Sequence, residues 1–295
     1  MSLASALSGV WAGVILTGLA TGAVGGPTSL EAQEPRDTGT FYNAEVTLVF
    51  TAGNATANTF GLGAGVRRVR ESSEFRVRVG GLRTESGKTM RVAVGTMSDF
   101  EVFDTTDAEL TAENYFIRSR YDRSVSDRFF LFGGGGWERN TFAGLAGRVS
   151  FVGGAGNTWV DSDGTRLKTD YGVTYTIQND VIEDPAKGAT FAGVRAAWDF
   201  WRQLTGTTAF ASALQIDENL NNTADFRADL TNSLLMDISD VLAFRASFQL
   251  LYDHLPSLAA VALEQPVGTP TGETVLAPLD KLDTVFTVAL VANFR

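Results

Sequence analysis

"YFIRSRYDRSVSDRFFLFGGGGW", residues 115–137, places two arginines in a run that is otherwise aromatic and aliphatic. Arg118 and Arg120 alternate with Ile117, Ser119 and Tyr121, so the two sets point to opposite faces of an extended strand. In a soluble strand the apolar face turns inward and the arginines meet water. In a transmembrane barrel the apolar side chains meet lipid and the arginines line the lumen. The second half, Phe129 to Phe132 followed by four glycines, is apolar on both faces and leaves its own parity open. The rest of the chain decides between the two.

Beyond Gln33 the chain has little helical periodicity and much period-two alternation. Twelve strands are predicted, over 41–50, 58–70, 75–84, 112–123, 128–138, 147–160, 166–178, 189–201, 207–216, 225–236, 241–252 and 282–294. Their lengths suit tilted crossings of a bilayer. In the seventh, Leu167, Thr169, Tyr171, Val173, Tyr175 and Ile177 oppose Lys168, Asp170, Gly172, Thr174 and Thr176. The eleventh sets Leu242, Phe244, Ala246, Phe248 and Leu250 against Ala243, Arg245, Ser247 and Gln249.

The connections sort by length. Even-numbered strands are followed by short links: "ESSE", "SVSD", "DSDGT", "QLTG" and "DISD". Odd-numbered strands are followed by longer ones, notably 85–111 and 253–281. An even strand count with short turns at one end and long loops at the other is the pattern of an outer-membrane barrel. A sandwich has no reason to sort its loops this way. The fold expected is all-β: a transmembrane, antiparallel, up-and-down barrel of about 12 strands in the cell outer membrane. The last strand places Phe286, Val288, Leu290, Ala292 and Phe294 on one face. Such a terminal aromatic stripe suits recognition by the barrel-assembly machinery, and outer-membrane lipid is the expected surrounding partner.

Residues 7–26 form an apolar run, and "LEAQEP" offers a cleavage point after Ala32. The division expected is a signal peptide over 1–32 and a barrel over 33–295. A net charge of −10 argues against a nucleic-acid partner. With Cys 0 and His 1, thiolate and multi-histidine metal sites are excluded, and no cofactor is implied.

Two segments also resemble a known family. "AEVTLVFTAGNATANTFGLGAGVRR" (44–68) is similar to the opening hairpin of the YdiY-like salt-induced outer-membrane proteins, domain of unknown function 481. "RSRYDRSVSDRFFLFGGGGWERNTFAGLAGRVSFVGGAG" (118–156) resembles that family's central segment, with the same order of "YD" strand, "SDR" turn, aromatic strand and "RNxFAGLxxR" connection. The resemblance runs from about Tyr42 to Phe294. It implies an exported barrel and no particular reaction.

Taking inward parity from the apolar faces, Arg67, Arg76, Arg78, Arg118 and Arg120 point into the lumen. Glu45 and Asp122 share that parity, and Asp225 and Asp229 are expected across the lumen. If "ESSE" turns symmetrically, Arg67 faces Arg78, an unfavourable pairing unless acids or anions intervene. Two readings follow: a charge ladder filling a narrow barrel, or an anion-attracting track through a pore. The acidic stretch from Asp99 to Glu113 reads as a solvated loop rather than a cation site, because it lacks EF-hand spacing. His254 falls at the outer rim facing lipid; a rim-acting lipid hydrolase would need a serine beside it. The role expected is not enzymatic but passive: a narrow, anion-preferring pore or an envelope-structural barrel, monomeric.

Overall fold

The computed structural model describes residues 38–51, 55–96, 99–141, 143–184, 187–264 and 270–294. The signal peptide expected over 1–32 lies outside the described residues. Among them are fourteen strands and no helix. In chain order they are β1 (Gly39–Thr51), β2 (Ala55–Arg70), β3 (Ser73–Thr96), β4 (Asp99–Ser124), β5 (Phe129–Asn140), β6 (Leu145–Ser162) and β7 (Thr165–Asp180). There follow β8 (Thr190–Gln203), β9 (Thr208–Asn219), β10 (Phe226–Asp237), β11 (Leu242–Asp253), β12 (Leu258–Glu264), β13 (Pro270–Pro278) and β14 (Leu282–Phe294). Twelve close into an antiparallel barrel in which each strand pairs with its chain neighbours and β14 returns to β1. β12 and β13 form a separate hairpin inside the link from β11 to β14. Closure pairs the strand backbones with one another, which a hydrocarbon surrounding requires.

Two of the expected long loops are built differently. Residues 85–96 and 99–111 continue the ladder of β3 and β4 as far as the pair Thr96↔Asp99, beyond a bulge at Thr84/Glu85. Residues 253–281 contain the β12–β13 hairpin. The short links lie at one end as expected. Glu71 and Ser72 make a two-residue turn, closed by the pair Arg70↔Ser73.

The faces follow the alternation. Tyr115, Ile117 and Tyr121 are exposed on the outside of the barrel, with Phe75, Trp159, Val173, Phe286 and Phe294. A continuous exposed apolar exterior around a polar interior is the arrangement of a membrane barrel. Near the short-turn end, Arg68, Arg70 and Arg123 share the outward parity and are exposed, where long cationic side chains reach the lipid headgroup level. The parity that β5 left open is now set. Phe130 and Phe132 are buried in the lumen, while Phe129 and Leu131 face outward.

Glycines in the lumen make space for this packing. A Cβ on Gly156 would lie 2.2 Å from the Phe130 ring. One on Gly154 would meet the Tyr171 carbonyl oxygen at 2.1 Å, so β6 and β7 approach too closely there for any side chain.

Chain direction puts the short turns at the end where β1 starts, which is the periplasmic end of such barrels. A peptide tag inserted at Gly272, in the β12–β13 hairpin, is therefore expected to be labelled on intact cells. The same tag at Ser72 is expected to be labelled only after permeabilisation. Reversed labelling would invert the barrel.

Candidate functional site

The lumen of β2 to β7 is built from alternating charge. Registers place Arg67 opposite Arg76, and Arg76 opposite Arg120, so three guanidinium groups share one row across three strands. Arg78 faces Gly65 and Arg118, not Arg67 as a symmetric "ESSE" turn predicts. The difference arises because the turn centres one position earlier, between Glu71 and Ser72. That moves each partner by two residues and leaves every face unchanged.

Acids lie between the arginines. Glu74 contacts both Arg67 (2.9 Å) and Arg76 (2.8 Å). Asp122 contacts Arg76 and Arg120, each at 2.8 Å. Arg120 also reaches Asp170 on β7 at 2.8 Å. To get there it passes over β5, where Gly134 is its register partner and the Phe132 ring centre lies 4.1 Å from the guanidinium carbon. A guanidinium stacked on an aromatic face and held by two carboxylates is a fixed group. Phe132 faces inward for this reason: it is the floor beneath Arg120.

A second group sits nearer the outer end. Glu138 joins Arg118 and Arg148, both at 2.9 Å, and Arg148 donates to Gln178 at 3.1 Å. Farther round, Arg195 pairs with Asp217 through two contacts of 2.7 and 3.2 Å.

The expected site residues thus separate into three places. All five arginines and Asp122 face the lumen. Glu45 also faces inward but pairs with Arg245, next to the closing seam, rather than with the arginine row. Asp229 lies across the lumen and accepts from Gln249 at 2.9 Å and Thr231 at 3.3 Å. Asp225 belongs to the β9–β10 turn instead, where it accepts from Asn219 at 3.0 Å and sits 3.7 Å from Arg227.

Glu74, Glu138, Asp170, Asp217, Arg148, Arg195 and Arg245 complete the network and were not among the expected site residues. Asp170 and Arg245 were already on the polar faces of clean alternations, so parity could have found them. Glu138 was hidden by the undecided parity of β5.

One cavity of about 420 Å³ runs through this network. At the short-turn end it is lined by Val69, Arg70, Ser73 and Ser124, and at the opposite end by Asn140, Asp253, Ser257 and Lys281. It carries nine cationic and nine acidic side chains. The arginine excess expected from five arginines against two inward acids is therefore cancelled around the cavity as a whole. On another side the lumen is packed, with Ala211, Ala213 and Leu235 buried and Trp201 against them, and a smaller cavity of about 60 Å³ lies beside Glu45 and Arg245.

Among the described residues, the rim histidine is hydrogen-bonded to a tyrosine and not to a serine. His254 is exposed, and its Nδ1 lies 2.8 Å from the Tyr252 hydroxyl. Ser257 is buried and accepts from Lys187 at 3.4 Å. The backbone of residues 99–112 is strand.

A twelve-stranded closed barrel with an apolar exterior and a charged, hydrogen-bonded lumen is a transmembrane barrel of the outer-membrane type. The family model described as "Protein of unknown function, DUF481" matches residues 44–261, and the chain belongs to that family. The comparison with curated proteins finds no match. Among solved structures, the chain is similar to the NanC porin, with 8% identity over 86% of this chain and 100% of that one, at a TM-score of 0.46. It is also similar to the translocator domain of the autotransporter NalP from Neisseria meningitidis, with 10% identity over 88% and 89% of the two chains, at a TM-score of 0.44. A third is an anion-selective porin from Comamonas acidovorans, with 9% identity over 88% and 99%, at a TM-score of 0.38.

Proposed function

We propose that this barrel sits in the outer membrane as a narrow passive pore. The observation that carries the reading is the cavity of about 420 Å³ whose lining includes residues from both ends of the strands. A barrel serving only as an envelope strut has no need of a connected polar passage, and would be better packed with side chains throughout. The wall is held open by fixed ion pairs. Arg120, clamped by Asp122, Asp170 and the Phe132 ring, cannot swing across the passage without breaking several contacts at once.

Ions passing here meet balanced charge, so the pore discriminates weakly by sign. Its field is short-ranged, because Arg76, Arg118, Arg120, Arg148 and Arg195 each have a carboxylate within contact distance and salt screens the remainder. The test is conductance in planar bilayers with the purified, detergent-folded protein. Discrete small steps are expected in potassium chloride, with a reversal potential close to zero under a salt gradient. A barrel that inserts yet conducts nothing would leave the structural role in its place. Strong anion selectivity would mean that the arginine row, and not the whole cavity lining, sets the field at the constriction.

A further inference from the structure

The nine cationic and nine acidic side chains around the cavity balance in number but not in position. On the wall of β2 to β4 the inward-facing charges of the lining are Arg76, Arg118 and Arg120 against Glu74 and Asp122, with Arg70 bordering the cavity from the turn and its side chain outward. On the wall of β9 to β11 and β14, with the residue leading into it, Asp217, Asp229, Asp253 and Asp283 stand against Arg227 and Lys281. The strands between, β5 to β8, contribute three of each sign. In the ring order β9 and β10 are six strands from β3 and β4, which is half of the circumference. One wall is thus net positive and the facing wall net negative.

On the acidic wall Asp217 is paired with Arg195, whereas two other carboxylates have only neutral hydrogen-bond partners. Asp229 has neutral hydrogen-bond partners, Gln249 and Thr231, and Asp253 accepts from the Leu255 backbone N–H at 2.9 Å. Among the described residues neither carboxylate has a cation within ion-pair distance. Arg118, which faces Asp229 from the opposite side of the ring, already holds Glu138 at 2.9 Å.

We infer that this pore passes small zwitterions, solutes with a carboxylate and an ammonium on one short chain, in preference to uncharged solutes of the same size. The inference rests on the pore reading above. A field across the passage, with low-dielectric walls behind it, orients a dipolar solute with its carboxylate toward the arginines and its ammonium toward Asp229 and Asp253. Such a solute replaces the oriented water of the lumen with contacts of equal quality. An uncharged isomer must displace that water without matching its interactions, which costs free energy. A simple anion or cation gains from one wall and is repelled by the other.

The test compares β-alanine with its neutral isomer lactamide in swelling of proteoliposomes, with rates from protein-free liposomes subtracted. Potassium chloride conductance is measured on the same protein preparation. We expect β-alanine to enter roughly tenfold faster, at the low end of what focused fields give. Asp229→Asn with Asp253→Asn keeps one acceptor oxygen on each side chain and removes the charge, so it should bring the two rates together while conductance persists. Should the double variant fail to assemble, Asp253→Asn at the strand end gives the same reading with a smaller change. Equal rates in the parent protein, with conductance present, would overturn the zwitterion assignment and leave the pore standing. A β-alanine advantage that survives both substitutions would overturn it as well. Absence of conductance would overturn both.

Discussion

Glu45→Gln is expected to destabilise the barrel by about 3–5 kcal/mol, the cost of breaking a buried ion pair. Glu45 lies on β1 and Arg245 on β11, with β14 between them. The guanidinium crosses β14 over Ala289, its register partner, whose methyl group is buried and leaves room above it. The pair therefore clasps the closing seam. That seam is the weakest ladder in the ring: β1 and β14 share five register pairs, Tyr42↔Phe294 to Val46↔Leu290, against thirteen between β1 and β2. Both side chains are about one-tenth exposed, at 10% and 9%, so water does little to screen the loss. The check is the urea concentration at which the folded, fast-migrating gel band converts to the unfolded one. Glu45→Gln should lower it markedly, and adding Arg245→Met should recover much of the difference because no charge is then left buried. An unchanged midpoint in Glu45→Gln would mean that backbone pairing alone holds the seam.

Glu138→Gln should have two separable consequences. Glu138 bridges Arg118 and Arg148, so removing its charge leaves two guanidinium groups facing each other in a partly buried wall. The stability loss is expected to be about 3 kcal/mol, the lower end of the range for a broken buried pair, because these side chains retain some contact with lumen water. The functional consequence is a change of sign balance. Nine acids become eight against nine cations, and the excess positive charge sits beside the cavity. The reversal potential under a salt gradient should therefore move toward anion preference, and Glu138→Gln with Arg148→Gln should move it back. A stability loss without any shift in selectivity would place Glu138 outside the conducting path.

Much of this was readable in the sequence, and the failures have physical causes. β4, β7, β11 and β14 alternate cleanly because lipid accepts only one kind of side chain, so their inward faces follow from parity. β5 does not alternate, because Phe130 and Phe132 occupy lumen positions that Arg120 and the β6 glycines make hospitable to an aromatic ring. With β5 undecided, Glu138 was lost from the inventory, and with it the pairing of Arg118 and Arg148. The outer parts of β3 and β4 read as a loop because the Asp99–Glu113 stretch is acidic and lacks the apolar alternation by which strands were recognised. The two-residue turn at Glu71 and Ser72 escaped for a different reason. "ESSE" admits two centres, and both preserve the faces while changing which arginine meets which.

If the barrel is a pore, solute moves through the charged side of the lumen. The chain contains no cysteine, which makes the most direct measurement simple. Ser150 lines the cavity, and Val173 lies on the outer face at 66% exposure. Each is replaced singly by cysteine, and a bulky charged thiol reagent is added to the aqueous phase while single-channel current is recorded. A stepwise fall in current is expected for Ser150→Cys and no change for Val173→Cys. Current that is indifferent to modification at Ser150, with the label shown to be attached, would contradict that route.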